Sequence, residues 1–465
     1  MSQSSELAFT ARNITDRIVA ETFDNQAKEE YAYSVGIQAG LFLLPLKICA
    51  RERRLRERIK KANPNLPLAP VNQLGHQRFQ PRGGMVMPYS PNNDTMYTGV
   101  VLDVTFEPMI LHVPDILDRY YSVQVTDVYC DNLPYIGTRA TSGKGGDWAF
   151  VGPEWQGELP EGVQEYRLRG NAGIVAVRLF VENEQDLPIV HQLQNQFRLT
   201  ALSQWDKPSA EAKAPKFRPW PANKFEGELA WLQDAWQLLQ LNRPTAEHNA
   251  MLKMFEGVGL LVEKPFNPNL IDSAFRRGLV RAMEAMQNIV RWKIKFRGTQ
   301  GENRWNVNLG IGTFEHNYLS RAEVAVQGLI IHDPEECLYF VCYMDGYNEP
   351  LNGTRKYKLH FAAGQLPLTK HLGFWSLTMY NQAFQLVKNP INRQAIRGGM
   401  EQLRFNKDGS LDIYIQHDAP IGHESNWLPA PASEIFRLTF RVYLPDESLL
   451  NDAHIEEFLP PIFPV

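Results

Sequence analysis

SPNNDTMYTGV, at residues 90–100, brings two amides, a carboxylate and a phenol to the mouth of a valine-rich run. Asn93 and Asp94 fall where a strand would begin, and Tyr97 sits just inside it. A carboxylate and a phenol so placed would move a proton or orient a bound molecule, since strand ends commonly display binding groups. Asn and Asp also make turns by hydrogen-bonding their own backbone, so the local sequence leaves both roles open. If the binding role holds, Asp94→Ala and Tyr97→Phe would impair ligand binding more than folding.

The run RYYSVQVTDVY makes a second case. Alternation places Tyr121, Val123, Val125, Asp127 and Tyr129 on one strand face. A carboxylate at the end of an apolar face must be paired or neutralised, and Arg139 or Arg178 would serve Asp127. Farther on, SLDIYIQHD sets His417 at the end of the Leu411, Ile413 and Ile415 face. FWSLTMYN offers Trp375, Tyr380 and Asn381 at a strand end, and GHESNW puts Trp427 beside a polar loop. The expected acid and base groups are therefore Asp94, Asp127, Tyr129 and His417. The expected substrate-holding groups are Asn93, Tyr97, Tyr121, Arg139, Trp375, Tyr380, Asn381 and Trp427. No metal ligand set is expected, because neither cysteine nor histidine spacing fits a metal template.

The elements that must position these residues follow from periodicity. Residues 1–62 read as an N-terminal helical region closed by Asn63-Pro64. Residues 63–202 change to a period of two, with Gly, Pro and Asp between the runs, and read as a first β domain. Residues 203–300 read as a linker followed by helices, and 301–465 as a second β domain. The expected class is α+β, mainly β: two antiparallel β-sandwich or jelly-roll-like domains joined by a helical segment.

Bulk properties narrow the function. The net charge is −4, and nothing in it predicts nucleic-acid binding. The one basic run, RERRLRERIKK at residues 51–61, reads as a solvated helix face because glutamates interleave it. YSVGIQAGLFLLPL, Tyr33–Leu46, is shorter than a bilayer span and reads as a buried helix. With no signal pattern at the N-terminus and four cysteines in all, a soluble cytoplasmic protein in a reducing compartment is expected, without membrane partners. A homo-oligomer stays open. Standard nucleophile-elbow, Walker and zincin motifs are absent from the sequence.

The segments NNDTMY and VPDILDRYYSVQVTDVYCDNLPYIGTRATSG, then DGYNEPLNGTRKYKLHF, LPLTKHLGFWSLTMYN and DGSLDIYIQHDAPIGHESNWLPAP, resemble a paired family. Its N-terminal half is the domain of unknown function DUF1254 and its C-terminal half DUF1214. The resemblance implies two β-rich domains joined by helices, and no particular reaction. Two functional readings remain. One is a small-molecule enzyme doing acid/base chemistry, such as hydrolysis or a lyase or isomerase proton transfer, which requires no cofactor. The other is a non-catalytic protein that binds a carbohydrate or another metabolite in a polar, aromatic pocket.

Overall fold

The computed structural model describes residues 17–87, 90–205, 207, 215–295, 299–450 and 458–465. The start of the N-terminal helical region and most of the expected linker core, residues 206 and 208–214, lie outside them. The chain divides into two units: Met1–Lys47 with Ala222–Arg291, and Ile48–Pro221 with Trp292–Val465.

The first unit is helical. Its elements come from α1 (Arg17–Glu57), α3 (Leu232–Leu241), α4 (Asn249–Glu256) and α5 (Ser273–Lys295), with α2 (Leu187–Gln196) and α6 (Tyr318–Gln327) belonging to the second unit. Glycines let α1 and α5 approach closely. A Cβ on Gly36 would stand 2.6 Å from the Ala282 Cβ, and one on Gly278 would stand 2.2 Å from the Glu29 carbonyl oxygen. Helix α1 is long and apolar enough, by length and composition, to cross a membrane, yet most of that stretch is buried by the chain's own packing.

The second unit carries the sheets. Its N-terminal half holds β1 (Gly75–His76), β2 (Thr95–Asp103), β3 (Met109–Val113), β4 (Tyr121–Thr126), β5 (Ile136–Gly137), β6 (Gly146–Val151), β7 (Val163–Arg167), β8 (Ala172–Phe180) and β9 (Arg198–Ala201). Its C-terminal half holds β10 (Thr299–Gln300), β11 (Trp305–Val307), β12 (Cys337–Cys342), β13 (Tyr357–Phe361), β14 (Thr369–Asn381), β15 (Ala395–Arg397), β16 (Leu411–Gln416), β17 (Trp427–Pro429), β18 (Phe436–Pro445) and β19 (Phe463–Pro464). The N-terminal half forms sheets β1-β2-β8-β4-β5 and β7-β6-β3-β9. The C-terminal half forms β10-β11-β12-β18-β14-β15 and β17-β16-β13-β19. The β6–β7 and β16–β17 pairs are parallel, and the other named pairs are antiparallel.

Each half has one apolar core shared by its two sheets. Met96, Val123 and Val177 of the first sheet meet Leu111 and Phe150 of the second. Leu377, Phe440 and Val442 meet Leu359 and Ile413 in the C-terminal half. The alternation that puts these residues inward leaves the opposite face of β2, β8, β12 and β18 to carry Tyr97, Arg178, Tyr339 and Arg441. The architecture is α+β with a helical N-terminus, as periodicity predicts.

The basic run departs from expectation. Arg53 is 2% exposed, and its Nη2 lies 2.6 Å from the Asp103 carboxylate, which is also buried. Its guanidinium lies 4.8 Å from the Trp220 ring centroid. Interleaved Glu52 and Glu57 pair with Arg56 and Arg53 on the same helix. Helical charge alternation thus hides one arginine that turns inward, because i,i+4 pairing looks the same on a solvated and a half-covered face.

Candidate functional site

A cavity of about 390 Å³ lies in the second unit between the five-stranded and six-stranded sheets. Its walls are mostly aliphatic, from Leu55, Leu66, Leu68, Val101, Ile174 and Ile331. Four of its polar groups come from matching places in the two halves. In the first sheet, register pairs Tyr97 of β2 with Arg178 of β8, and Arg178 with Ser122 of β4. In the second, Tyr339 of β12 pairs with Arg441 of β18, and Arg441 with Ser376 of β14. Cross-strand partners share a face, so each sheet presents a Tyr–Arg–Ser row. Tyr97, Arg178, Tyr339 and Arg441 all line the cavity.

Both arginines are buried. Arg178 is 4% exposed and donates from Nε to the Tyr97 phenol oxygen at 3.2 Å and from Nη1 to the Gln124 amide oxygen. Its Nη1 also lies 3.0 Å from His332 Nε2, which is 3.0 Å from Ser122 Oγ. Burial, then the charges of Arg178 and Arg139, hold His332 well below the usual histidine range. His332 is therefore neutral and accepts these bonds. Arg441, 5% exposed, donates to Thr378 Oγ1 at 3.0 Å and to the Tyr380 phenol oxygen at 2.7 Å, while its Nε has no partner. A third buried arginine on the wall, Arg437, donates to Ser90 Oγ at 2.8 Å and lies over the Phe384 ring at 4.0 Å.

The SPNNDTMY segment also ties the two halves together. Asn92 Oδ1 accepts from the Asp94 backbone N–H at 2.7 Å, the turn that Asn chemistry predicts. Its Nδ2 donates to the Tyr443 phenol oxygen at 2.6 Å. Asp94 is 1% exposed and accepts from Ser376 Oγ at 2.6 Å, and Tyr380 donates to the Pro91 carbonyl at 2.7 Å. Burial, then the Asp94 charge, pushes the Tyr443 phenol well up.

Of the residues singled out from sequence, Tyr97 lines the cavity. Tyr380 sits directly behind Arg441, and Asp94 contributes a charge felt by Arg441. Asn93 donates nothing to the cavity; its carbonyl accepts from Gln80 at 2.9 Å. Tyr121 is fully buried in the N-terminal core with its phenol on the Gly143 carbonyl, and Trp375 stacks on Phe440 in the C-terminal core. Asn381 caps the turn after β14 through the Ala383 and Gln385 N–H groups. Trp427 is buried with its indole on the Gln416 carbonyl.

Asp127 lies in the turn after β4. It accepts from the N–H groups of Tyr129 and Asp131, and Arg169 Nη1 is 3.6 Å from its carboxylate. Its partner is thus Arg169, whereas Arg139 pairs with Glu336 at 2.6 Å and Arg178 serves Gln124. Tyr129 lies in the same turn beneath Arg321 at 5.7 Å. His417 is exposed and its Nδ1 sits 3.2 Å from the Ala430 carbonyl, so β16 ends before the apolar stripe reaches it. The four expected acid and base groups are not gathered at one place. Arg437 and Arg441 escaped notice because FRLTFRVYLP alternates like a half-solvated strand, while β18 is buried on both faces.

Burial, then the neighbouring Asp131 charge, pushes the Asp127 carboxyl up to about 7. Folding then takes up a proton between about pH 4, where the unfolded carboxyl titrates, and that value. Stability from this group is fully present below that window and is lost as pH rises through it, at a slope on the order of 1 kcal/mol per pH unit. Urea midpoints measured from pH 4.5 to 8 are expected to fall across the window in the native protein and to flatten in Asp127→Asn. Equal slopes in the two proteins would rule out Asp127 as the source.

Protein-family models match twice: DUF1254, a protein of unknown function, at residues 71–201, and DUF1214, likewise of unknown function, at residues 336–447. The chain is a DUF1254–DUF1214 protein. Tyr97 and Arg178 lie in the DUF1254 part and Tyr339 and Arg441 in the DUF1214 part, so each part supplies one row. No curated protein matches the chain. A crystal structure of the VPA0106 protein from Vibrio parahaemolyticus is similar over 95% of this chain and 100% of that one, with a TM-score of 0.66 and 21% identity, which shows a shared fold. An uncharacterized protein from Burkholderia cenocepacia covers 92% of this chain and 95% of that one at 12% identity and a TM-score of 0.43.

Proposed function

We propose that this DUF1254–DUF1214 protein binds a small, mostly apolar organic molecule in the cavity between its two inner sheets. The observation that carries this reading is a partly open cleft of about 390 Å³ with mostly apolar walls and several polar side chains. That combination is the general form of small-molecule sites. Aliphatic walls favour an apolar metabolite over a sugar, which would call for aromatic stacking faces. The same geometry supports binding better than acid/base turnover. Among the described lining residues there is no histidine, and the one carboxylate, Glu52, is paired with Arg56 at 2.7 Å.

Gly99 gives a clean test. It lines the cavity, and a Cβ there would meet Pro67 at an ordinary 3.6 Å, so a larger side chain enters the space without a backbone clash. Titration with the neutral fluorophore N-phenylnaphthylamine is expected to show saturable binding to the native protein and at least about tenfold weaker binding to Gly99→Phe, the cost of losing a filled apolar site. Equal binding by two equally stable proteins would overturn the reading.

A further inference from the structure

Resting on the reading that this cavity binds a small molecule, we infer that its ligand is an aliphatic molecule with an oxyanion head, held by Arg178 and Arg441. A buried guanidinium is costly unless a negative charge compensates it. Arg178 and Arg441 are each about nineteen-twentieths buried, and each is hydrogen-bonded to neutral groups: a phenol and an amide for the first, a phenol and a hydroxyl for the second. Neither lies within ion-pair distance of a described carboxylate.

Two acids lie nearby without forming an ion pair with either guanidinium. Asp94 accepts from Ser376, and Glu336 is held by Arg139 at 2.6 Å and Tyr120 at 2.9 Å. Setting Asp94 against Arg441 still leaves Arg178 with no carboxylate of its own among the described residues, since the Glu336 charge near it is already paired with Arg139. Arg441 also keeps its buried Nε without a partner.

The two arginines line the same cavity and are linked through Tyr339: the Arg441 guanidinium is 6.0 Å from its ring centroid, and its phenol oxygen is 3.4 Å from Nδ1 of His332, whose Nε2 meets Arg178. Guanidinium groups suit carboxylate and phosphate oxygens, which accept several N–H bonds at once. The aliphatic walls then take the tail. A cationic head would meet the two positive charges and be repelled.

The test compares one tail with four heads on the native full-length protein, by isothermal titration below the micelle concentrations. The ligands are decanoate, decyl phosphate, decan-1-ol and decyltrimethylammonium. At least one of the two oxyanions is expected to bind about 10–100-fold more tightly than the alcohol, the worth of a charged hydrogen bond, with the ammonium weaker still. Which of the two leads identifies the head as carboxylate or phosphate. In Arg178→Gln and Arg441→Gln the preference over the alcohol is expected to shrink toward unity. If decanol binds as tightly as both oxyanions, the oxyanion head is overturned while the cavity reading stands. If none of the four binds and Gly99→Phe leaves fluorophore binding intact, both fall. The head-group comparison is made on the native chain, so it holds whether or not either arginine variant folds.

Discussion

Asp94→Ala is expected to destabilise the sheet-bearing unit by about 3 kcal/mol, through a buried hydroxyl left unsatisfied and a buried positive charge left without its nearby acid. The carboxylate is 1% exposed, accepts from Ser376 Oγ at 2.6 Å across the two halves, and lends its charge to Arg441. Asp94→Asn retains an acceptor for Ser376 and loses only the charge, so a smaller loss is expected. Tyr97→Phe removes a single hydrogen bond to Arg178 at the cavity wall and should cost about 1 kcal/mol. Sequence alone gives Asp94 an acid/base role and Tyr97 a substrate-holding one, and expects both variants to impair binding more than folding. The structure separates them into a strut and a wall. Denaturant midpoints for the three variants check this, and an Asp94→Ala protein as stable as the native one would show that Asp94 bears no structural load.

Arg53→Met is expected to cost about 3–5 kcal/mol, because it keeps the apolar stem and strands the buried Asp103 charge. Asp103 would retain the N–H groups of Thr105 and Arg218 but no cation. Arg53 also donates from Nη2 to the Arg218 carbonyl at 2.5 Å, so the last turns of α1 would lose their tie to that segment. The double variant Arg53→Met with Asp103→Leu removes the stranded charge and should recover part of the loss. A double-mutant cycle measures the coupling. Additive losses in the cycle would mean that the pair contributes little beyond the packing of each side chain.

Periodicity made the sheets legible. TMYTGVVLDV, RYYSVQVT and GIVAVRLFV became β2, β4 and β8, and the even positions of β2 went to the core as alternation predicts. The helical stripes of the middle segment became α3 to α5. The cavity was not legible, for a physical reason. Period two tells which residues share a face, but not whether that face meets water or another sheet. Arg178 therefore reads only as a possible partner for Asp127 and Arg441 goes unnoticed, and the two reach the same cavity from strands far apart in the chain. The same limit hid the partner of Asp127, since Arg169 reaches it from the loop before β8, and hid the inward turn of Arg53 within a charged helix.

The two Tyr–Arg–Ser rows carry one further consequence. Since each half furnishes a Tyr–Arg pair to the same space, a molecule seated there would touch both halves. By mass action, occupancy adds to the free energy holding the halves together, about 2.7 kcal/mol at a ligand concentration a hundred times the dissociation constant. The filled protein should then resist proteolysis and partial opening along that seam more than the empty one.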